Sequence, residues 1–182
     1  MFPKQNDLCT LLICLVIISN CFPLSLSKPR QKCIFKKCLT HIGDLKMEAG
    51  DMISCRHYFL LPYHNLLATG PNSMIHIVAN KRQSRGYIVE DTRDKYVSRN
   101  QESWCFNEGP GSLGRIGAVN TSRESLMMFK NKPVYYNLLK CNCQHWVEYW
   151  ANGEPKSPSV WKISIDKRCP LLTIKSNHIL SS

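Results

Sequence analysis

The stretch Asn142-Cys143-Gln144-His145-Trp146-Val147 places a cysteine where a helix should begin and gives that helix one apolar face. Cys143, Trp146, Val147 and Trp150 recur at i, i+3, i+4 and i+7, the spacing that aligns side chains along one side of an α-helix. These four residues are expected to face inward. Asn142 is a favoured N-cap and Gly153 a favoured stop, so the predicted helix runs from about Cys143 to Asn152. In its first turn, unpaired backbone N–H groups and the positive end of the helix dipole favour a thiolate, which lowers the cysteine pKa and raises its reactivity. Read instead as a small apolar residue, Cys143 would be buried and inert. A partner histidine decides between the two.

Two histidines upstream are candidates. From Gly50 the chain breaks into short apolar segments, Met52–Ser54, Tyr63–Ala68, Met74–Ala79 and Tyr87–Val89, which read as strands. Thr69-Gly70-Pro71-Asn72-Ser73 is a dense turn sequence, so the segments on either side should form an antiparallel hairpin. His64 stands six residues before Gly70 and His76 six after it, which brings the two within a residue or two in register. Residues 99–118, with Asn107, Glu108, Gly109, Pro110, Gly111 and Gly114, read as a loop that flanks or covers a site. Thr121 and Glu124 form a capping-box pattern opening a second helix through Leu126, Met127 and Phe129, which Pro133 stops.

The chain has 182 residues, 43% apolar and 20% charged, enough for one well-buried domain. Its net charge of +11 suits an anionic partner such as lipid or glycan. No zinc-finger spacing, aromatic RNA-binding strand or basic heptad helix is present, so nucleic acid is not expected.

Residues 1–27 read as a signal peptide: Lys4, an apolar run from Leu8 to Ile18, then Pro23 and small residues at Ser25 and Ser27 before a cut ahead of Lys28. The competing reading is an uncleaved membrane anchor, for which Lys28, Arg30, Lys32, Lys36 and Lys37 would place the domain on the cytosolic side. The expected organisation is then a basic segment 28–49, a catalytic domain 50–153 and a tail 154–182 that adds an edge strand or stays mobile. Of ten cysteines, removing Cys9, Cys14 and Cys21 leaves seven. With Cys143 kept free, the other six can form up to three disulfides, which suits a secreted or endoplasmic-reticulum-lumen protein. Asn120-Thr121-Ser122 is a glycosylation sequence consistent with that route.

Three blocks in order resemble the LRAT-domain family, which includes lecithin retinol acyltransferase and related phospholipid acyltransferases of the permuted papain-like (NlpC/P60) group. Gly50-Asp51-Met52-Ile53 is similar to the family's GD-L-I strand, and His64 through Gly70 to His76 to its HWAIYVG...VIH segment. Tyr136-Asn137-Leu138-Leu139 followed by Asn142-Cys143-Gln144-His145-Trp146-Val147 resembles YNLL followed by NCEHFV. The likeness spans Gly50 to Gly153. It implies an α+β fold, a small antiparallel sheet packed against the cysteine-bearing helix, and an acyl-cysteine enzyme with no cofactor and no metal. By position it implies Cys143 as nucleophile, His64 as general base and His76 as the group orienting that base; for the oxyanion, the helix start offers the Cys143 backbone N–H, with the Tyr136 hydroxyl as a further candidate. The acyl donor would be a glycerophospholipid met at an anionic membrane surface. Transfer to an alcohol or amine makes an acyltransferase, and transfer to water a phospholipase of the A1/A2 type.

The chain departs from the family at Asn65, where an aromatic residue is usual, at Gln144 for glutamate and at Trp146 for phenylalanine. Its tail lacks the C-terminal membrane helix of many members, and the span from His76 to Cys143 is shorter than in the retinol branch, so retinol is not implied. His145, at the third helical position, is expected to pack or to make a structural hydrogen bond. A metal site at Cys141, Cys143 and His145 is the weaker reading, because a helix points Cys143 and His145 to different faces. His41 and His57 read as surface residues. Two other functions fit the sequence: an inactive secreted protein binding lipid or glycan, and a papain-like cysteine peptidase or amidase.

Overall fold

The computed structural model describes residues 29–34, 37–56, 63–80, 84–100, 103–156 and 164–179. The apolar run and cut site assigned to a signal peptide, and His57, lie outside them. Among the described residues eight strands form one antiparallel sheet: β1 (Gln31–Ile34), β2 (Lys37–His41), β3 (Asp51–Arg56), β4 (His64–Gly70), β5 (Ser73–Asn80), β6 (Arg85–Thr92), β7 (Trp104–Pro110) and the two-residue β8 (Val134–Tyr135). Their order is β1-β2-β7-β3-β4-β5-β6-β8. The described residues also form four α-helices, α1 (Arg93–Arg99), α2 (Gly114–Met128), α3 (Cys143–Asn152) and α4 (Pro170–Ile179), and a 3-10 turn at Ile42–Asp44. The architecture is α+β, as expected. Among the described residues no helix is long and apolar enough to cross a membrane.

Strand alternation divides the apolar residues between the two faces of the sheet. On one face Leu67, Ile75, Ile77 and Ile88 meet Trp146, Val147 and Trp150 of α3, Ala118 of α2 and Leu171 of α4. On the other, Ile53, Leu66, Ala68 and Met74 meet Ile42, Leu45 and Met47 from the segment before β3, together with Tyr96 of α1. Helix α3 is the keystone of the first layer, with Trp146 and Trp150 fully buried. It begins and ends as the sequence predicts: the Asn142 side chain accepts from the amides of Gln144 and His145, and Gly153 takes the left-handed conformation with φ 72°.

Two disulfides tie distant segments, Cys55 to Cys105 across β3 and β7 and Cys141 to Cys169 between the approach to α3 and the approach to α4. Cys38 is also disulfide-bonded. Cys143 is the free cysteine among the described residues.

Several expectations change. Residues 104–110 are not loop but strand β7, which sits between β2 and β3 in the sheet. The glycines and proline there end the strand, whereas its start alternates Trp104, buried Cys105 and Phe106. The second helix begins at Gly114 rather than Thr121. Thr121 lies mid-helix, its hydroxyl donating to the Gly117 carbonyl at 2.9 Å, so it caps nothing. Small residues, including the fully buried Ala118, let α2 lie close on α3, and the Trp150 indole N–H reaches Ser125 Oγ at 3.0 Å. Within the basic segment before Gly50, β1 and β2 form a hairpin that extends the sheet. In the tail, the described part forms helix α4 rather than an edge strand, with Leu171 and Ile174 buried. His41 is not a surface residue. It is buried, with Nδ1 2.8 Å from the Arg30 guanidinium and 3.2 Å from the Gly43 amide, and its ring meets Trp104 edge-on.

Candidate active site

Strand β4 pairs with β5 from Leu66–His76 to Gly70–Ser73, so His64 lies two residues beyond His76's partner. Both histidines project to the face that carries Leu66 and Met74, by the period-two rule. The pairing brings their rings together: His64 Nε2 is 3.1 Å from His76 Nδ1, with the rings nearly perpendicular. This is the juxtaposition the hairpin predicted.

The free thiol stands at the start of β4. Cys143, the first residue of α3, receives the Asn65 amide N–H at 3.5 Å, and its sulfur lies 4.0 Å from the Tyr63 carbonyl. The sulfur is thus held against the backbone on both sides of His64. The Tyr136 hydroxyl also hydrogen-bonds toward it. All four residues singled out in the sequence, Cys143, His64, His76 and Tyr136, are accordingly gathered at one end of the sheet.

Two further residues were not found from the sequence. Asp91 accepts from His76 Nε2 at 3.1 Å and is held in turn by Lys95 at 2.6 Å and Arg99 at 3.1 Å. It lies on β6 opposite Met74, two residues from His76 on the same face. The trace in the sequence was the charge spacing Asp91, Lys95, Arg99, which puts both cations over one carboxylate once α1 starts at Arg93. Tyr96, buried on α1, stacks nearly parallel on His64 with centroids 6.3 Å apart and meets His76 edge-on at 5.3 Å. The Thr92 cap, accepting from the Lys95 amide, sets where that helix begins and so where Tyr96 points.

The hydrogen bonds set the tautomers. Burial raises the Asp91 carboxyl, but bonds from Lys95 and His76 outweigh it and leave its pKa lowered, so it is an acceptor only. His76 therefore donates from Nε2 and presents a lone pair at Nδ1. His64 must then donate its Nε2–H to that lone pair, which leaves the lone pair of His64 on Nδ1. Burial lowers the pKa of His64 to about 4. Burial, and then the neighbouring His64, lower His76 to about 4 as well, with Asp91 offsetting only part.

Burial also pushes the Cys143 thiol up, against the pull of the Asn65 amide, the Tyr136 hydroxyl and the first-turn N–H groups. The expected lowering by the helix start is present but smaller than the desolvation cost. At neutral pH the site holds a thiol beside neutral imidazoles rather than an ion pair. Such a site needs base catalysis at the moment of attack.

His145 is not part of this line. Its side chain accepts from the Asn142 amide while the Asn142 side chain accepts from the His145 amide, a reciprocal cap buried in the core. Cys141 is bonded to Cys169, and among the described residues no group of three His, Cys, Asp or Glu side chains is placed to hold a metal ion. Comparison of the chain with models of known protein families and with curated proteins finds no match in either.

Proposed function

We propose that this protein is a cysteine acyl-transfer enzyme of the LRAT-like, permuted papain-like kind, taking an acyl chain from a glycerophospholipid onto Cys143 and passing it to an alcohol, an amine or water. The observation that carries the reading is the arrangement around one free thiol. Cys38, Cys55, Cys105, Cys141 and Cys169 are in disulfides, whereas Cys143, at a helix start, meets the backbone on both sides of His64, the first member of a hydrogen-bonded His64–His76–Asp91 line.

In the proposed cycle the thiol proton passes to His64 Nδ1 as sulfur attacks the ester carbonyl. The resulting imidazolium is stabilised through His76 by the Asp91 carboxylate, which keeps its charge throughout. The oxyanion is met by the Cys143 backbone N–H and the Tyr136 hydroxyl. Collapse breaks the ester C–O bond, the lysophospholipid alkoxide takes the proton back from His64, and a thioester remains. An incoming hydroxyl, amine or water then gives its proton to His64 and its nucleophilic atom to the acyl carbon, releasing the thiol. Disulfides elsewhere in the fold support a secreted or endoplasmic-reticulum-lumen location. The net charge of +11 favours an anionic lipid surface.

The test is incubation with a soluble short-chain phospholipid bearing a labelled acyl group, followed by mass mapping. The expected result is an adduct on Cys143 that is absent in Cys143→Ala and strongly reduced in His64→Ala. Labelling by peptide or amide probes but by no ester would favour a peptidase or amidase on the same scaffold. Absence of any adduct would leave a binding protein.

A further inference from the structure

We infer that the turn Leu138-Leu139-Lys140 is a membrane-docking element that presses its two leucines into an anionic lipid surface and brings the start of helix α3 to the interface. The inference deepens the lipid-substrate reading by naming the surface through which that site meets its substrate.

Leu138 is 45% and Leu139 61% exposed, although they are consecutive and branched. Scattered apolar side chains on a surface need no explanation, but this pair is held outward by a built turn. Asn137 Oδ1 accepts from the amides of both Leu139 and Lys140 at 3.0 Å. Asn137 and Cys141 exchange backbone hydrogen bonds of 2.8 and 3.0 Å across the base of the turn. The Cys141–Cys169 disulfide anchors that base. The Asn142 side chain donates to the Leu138 carbonyl at 2.7 Å. Asn142 is also the cap of α3, so one side chain joins the leucine turn to the helix end that carries Cys143.

The rim of the turn names the partner. Lys140 is exposed, and its carbonyl accepts from the Asp166 amide at 3.1 Å, which brings the 166–168 segment alongside. There Arg168 is spent on Asp166 and on the Tyr135 ring. Lys140 and Lys167 have no carboxylate partner among the described residues. Two exposed leucines beside two unpaired lysines match an anionic bilayer, where apolar groups enter the acyl boundary and ammonium groups meet lipid phosphates. The two most exposed apolar residues elsewhere, Ile116 and Met127, do not form one surface with each other. Ile116 and Met127 lie about 16 Å apart along α2, with polar Asn120 between them and Arg123 directed at Glu90.

The experiment uses the full chain with Cys143→Ala, so that binding is read without turnover, and vesicles of phosphatidylcholine with or without phosphatidylserine. The expected result is co-sedimentation with the anionic vesicles that falls at least tenfold in Leu138→Ser/Leu139→Ser and about fivefold for each lysine reversed in Lys140→Glu/Lys167→Glu. Ile116→Ser/Met127→Ser should stay within twofold. A second readout is independent of whether the remainder of the chain binds lipid. Leu139→Cys in this background, labelled with an environment-sensitive fluorophore, should shift to the blue on anionic vesicles, whereas the same label at Met127→Cys should not. An unshifted label at position 139, or equal losses in the turn and α2 variants, overturns the proposal. Because acylation by a soluble short-chain ester needs no membrane, an adduct on Cys143 without turn-dependent binding would reject the docking surface and keep the enzyme. Docking without an adduct would do the reverse.

Discussion

Replacing Asp91 with asparagine isolates the carboxylate that no local sequence pattern placed in the site. Its three partners are all donors: His76 Nε2 and Arg99 on Oδ2 at 3.1 Å, and Lys95 on Oδ1 at 2.6 Å. An amide exchanges one acceptor for a donor, so either orientation sets one N–H against another. With its nitrogen toward His76, the His76 proton moves to Nδ1, the His64 proton follows from Nε2 to Nδ1, and the lone pair facing the proposed proton transfer is lost. The comparable substitution in a Ser-His-Asp triad lowers kcat about 10⁴-fold through the wrong tautomer. Here the carboxylate acts through an intervening histidine and the other amide orientation keeps the correct tautomer, so we expect a loss of about 10²- to 10³-fold, or ~3–4 kcal/mol of barrier. The fold should lose about 1.5–3 kcal/mol, because the buried carboxylate loses a charge-assisted hydrogen bond while the half-exposed Lys95 and Arg99 turn to solvent. The assay is the rate of acyl-adduct formation on Cys143 at pH 7, beside the pH profile of its alkylation by a neutral electrophile. A variant that remains folded at the assay temperature and acylates within fivefold of the natural protein would refute the relay.

Acid should weaken the fold above the range where carboxylates titrate. His64 and His76 have pKa values of about 4 in the folded protein against 6.5 for the free group. Between those values the unfolded chain binds protons that the native state does not, so stability is complete above pH 6.5 and falls as the pH drops toward 4. The loss at pH 5 reaches a ceiling of about 2 kcal/mol for one such histidine. Denaturant titrations at pH 7.5 and 5 measure it, and a pH-independent midpoint in that range would contradict the burial of neutral rings. His145→Ala should cost about 2–4 kcal/mol, through the emptied core site as well as the lost capping contact, yet leave Cys143 alkylation within threefold, whereas His64→Ala should slow it far more. Opening the 28-residue link with Cys141→Ser/Cys169→Ser should destabilise by about 3 kcal/mol in thermal or denaturant unfolding.

Local periodicity and composition determined a good deal of this protein. The four-residue apolar face, the Asn142 cap and the Gly153 stop define α3 because helix geometry depends on spacing alone. The turn at Gly70 gave the His64–His76 approach because hairpin register depends on counting residues from a tight turn. The odd cysteine count beyond Ser27 left one unpaired, and the helix start marked Cys143 as the one to keep free. Tertiary structure decided what depends on partners distant in the chain. Strand β7 reads as loop until β2 and β3 close on it, since its central place follows from pairing rather than from its own residues. Asp91 and Tyr96 enter the site only when β6 and α1 pack beside β5. The protonation of Cys143 was decided the same way. Helix position alone argued for a thiolate, but the sulfur is enclosed by β4 and Tyr136, and the desolvation cost of enclosure exceeds what a helix terminus returns.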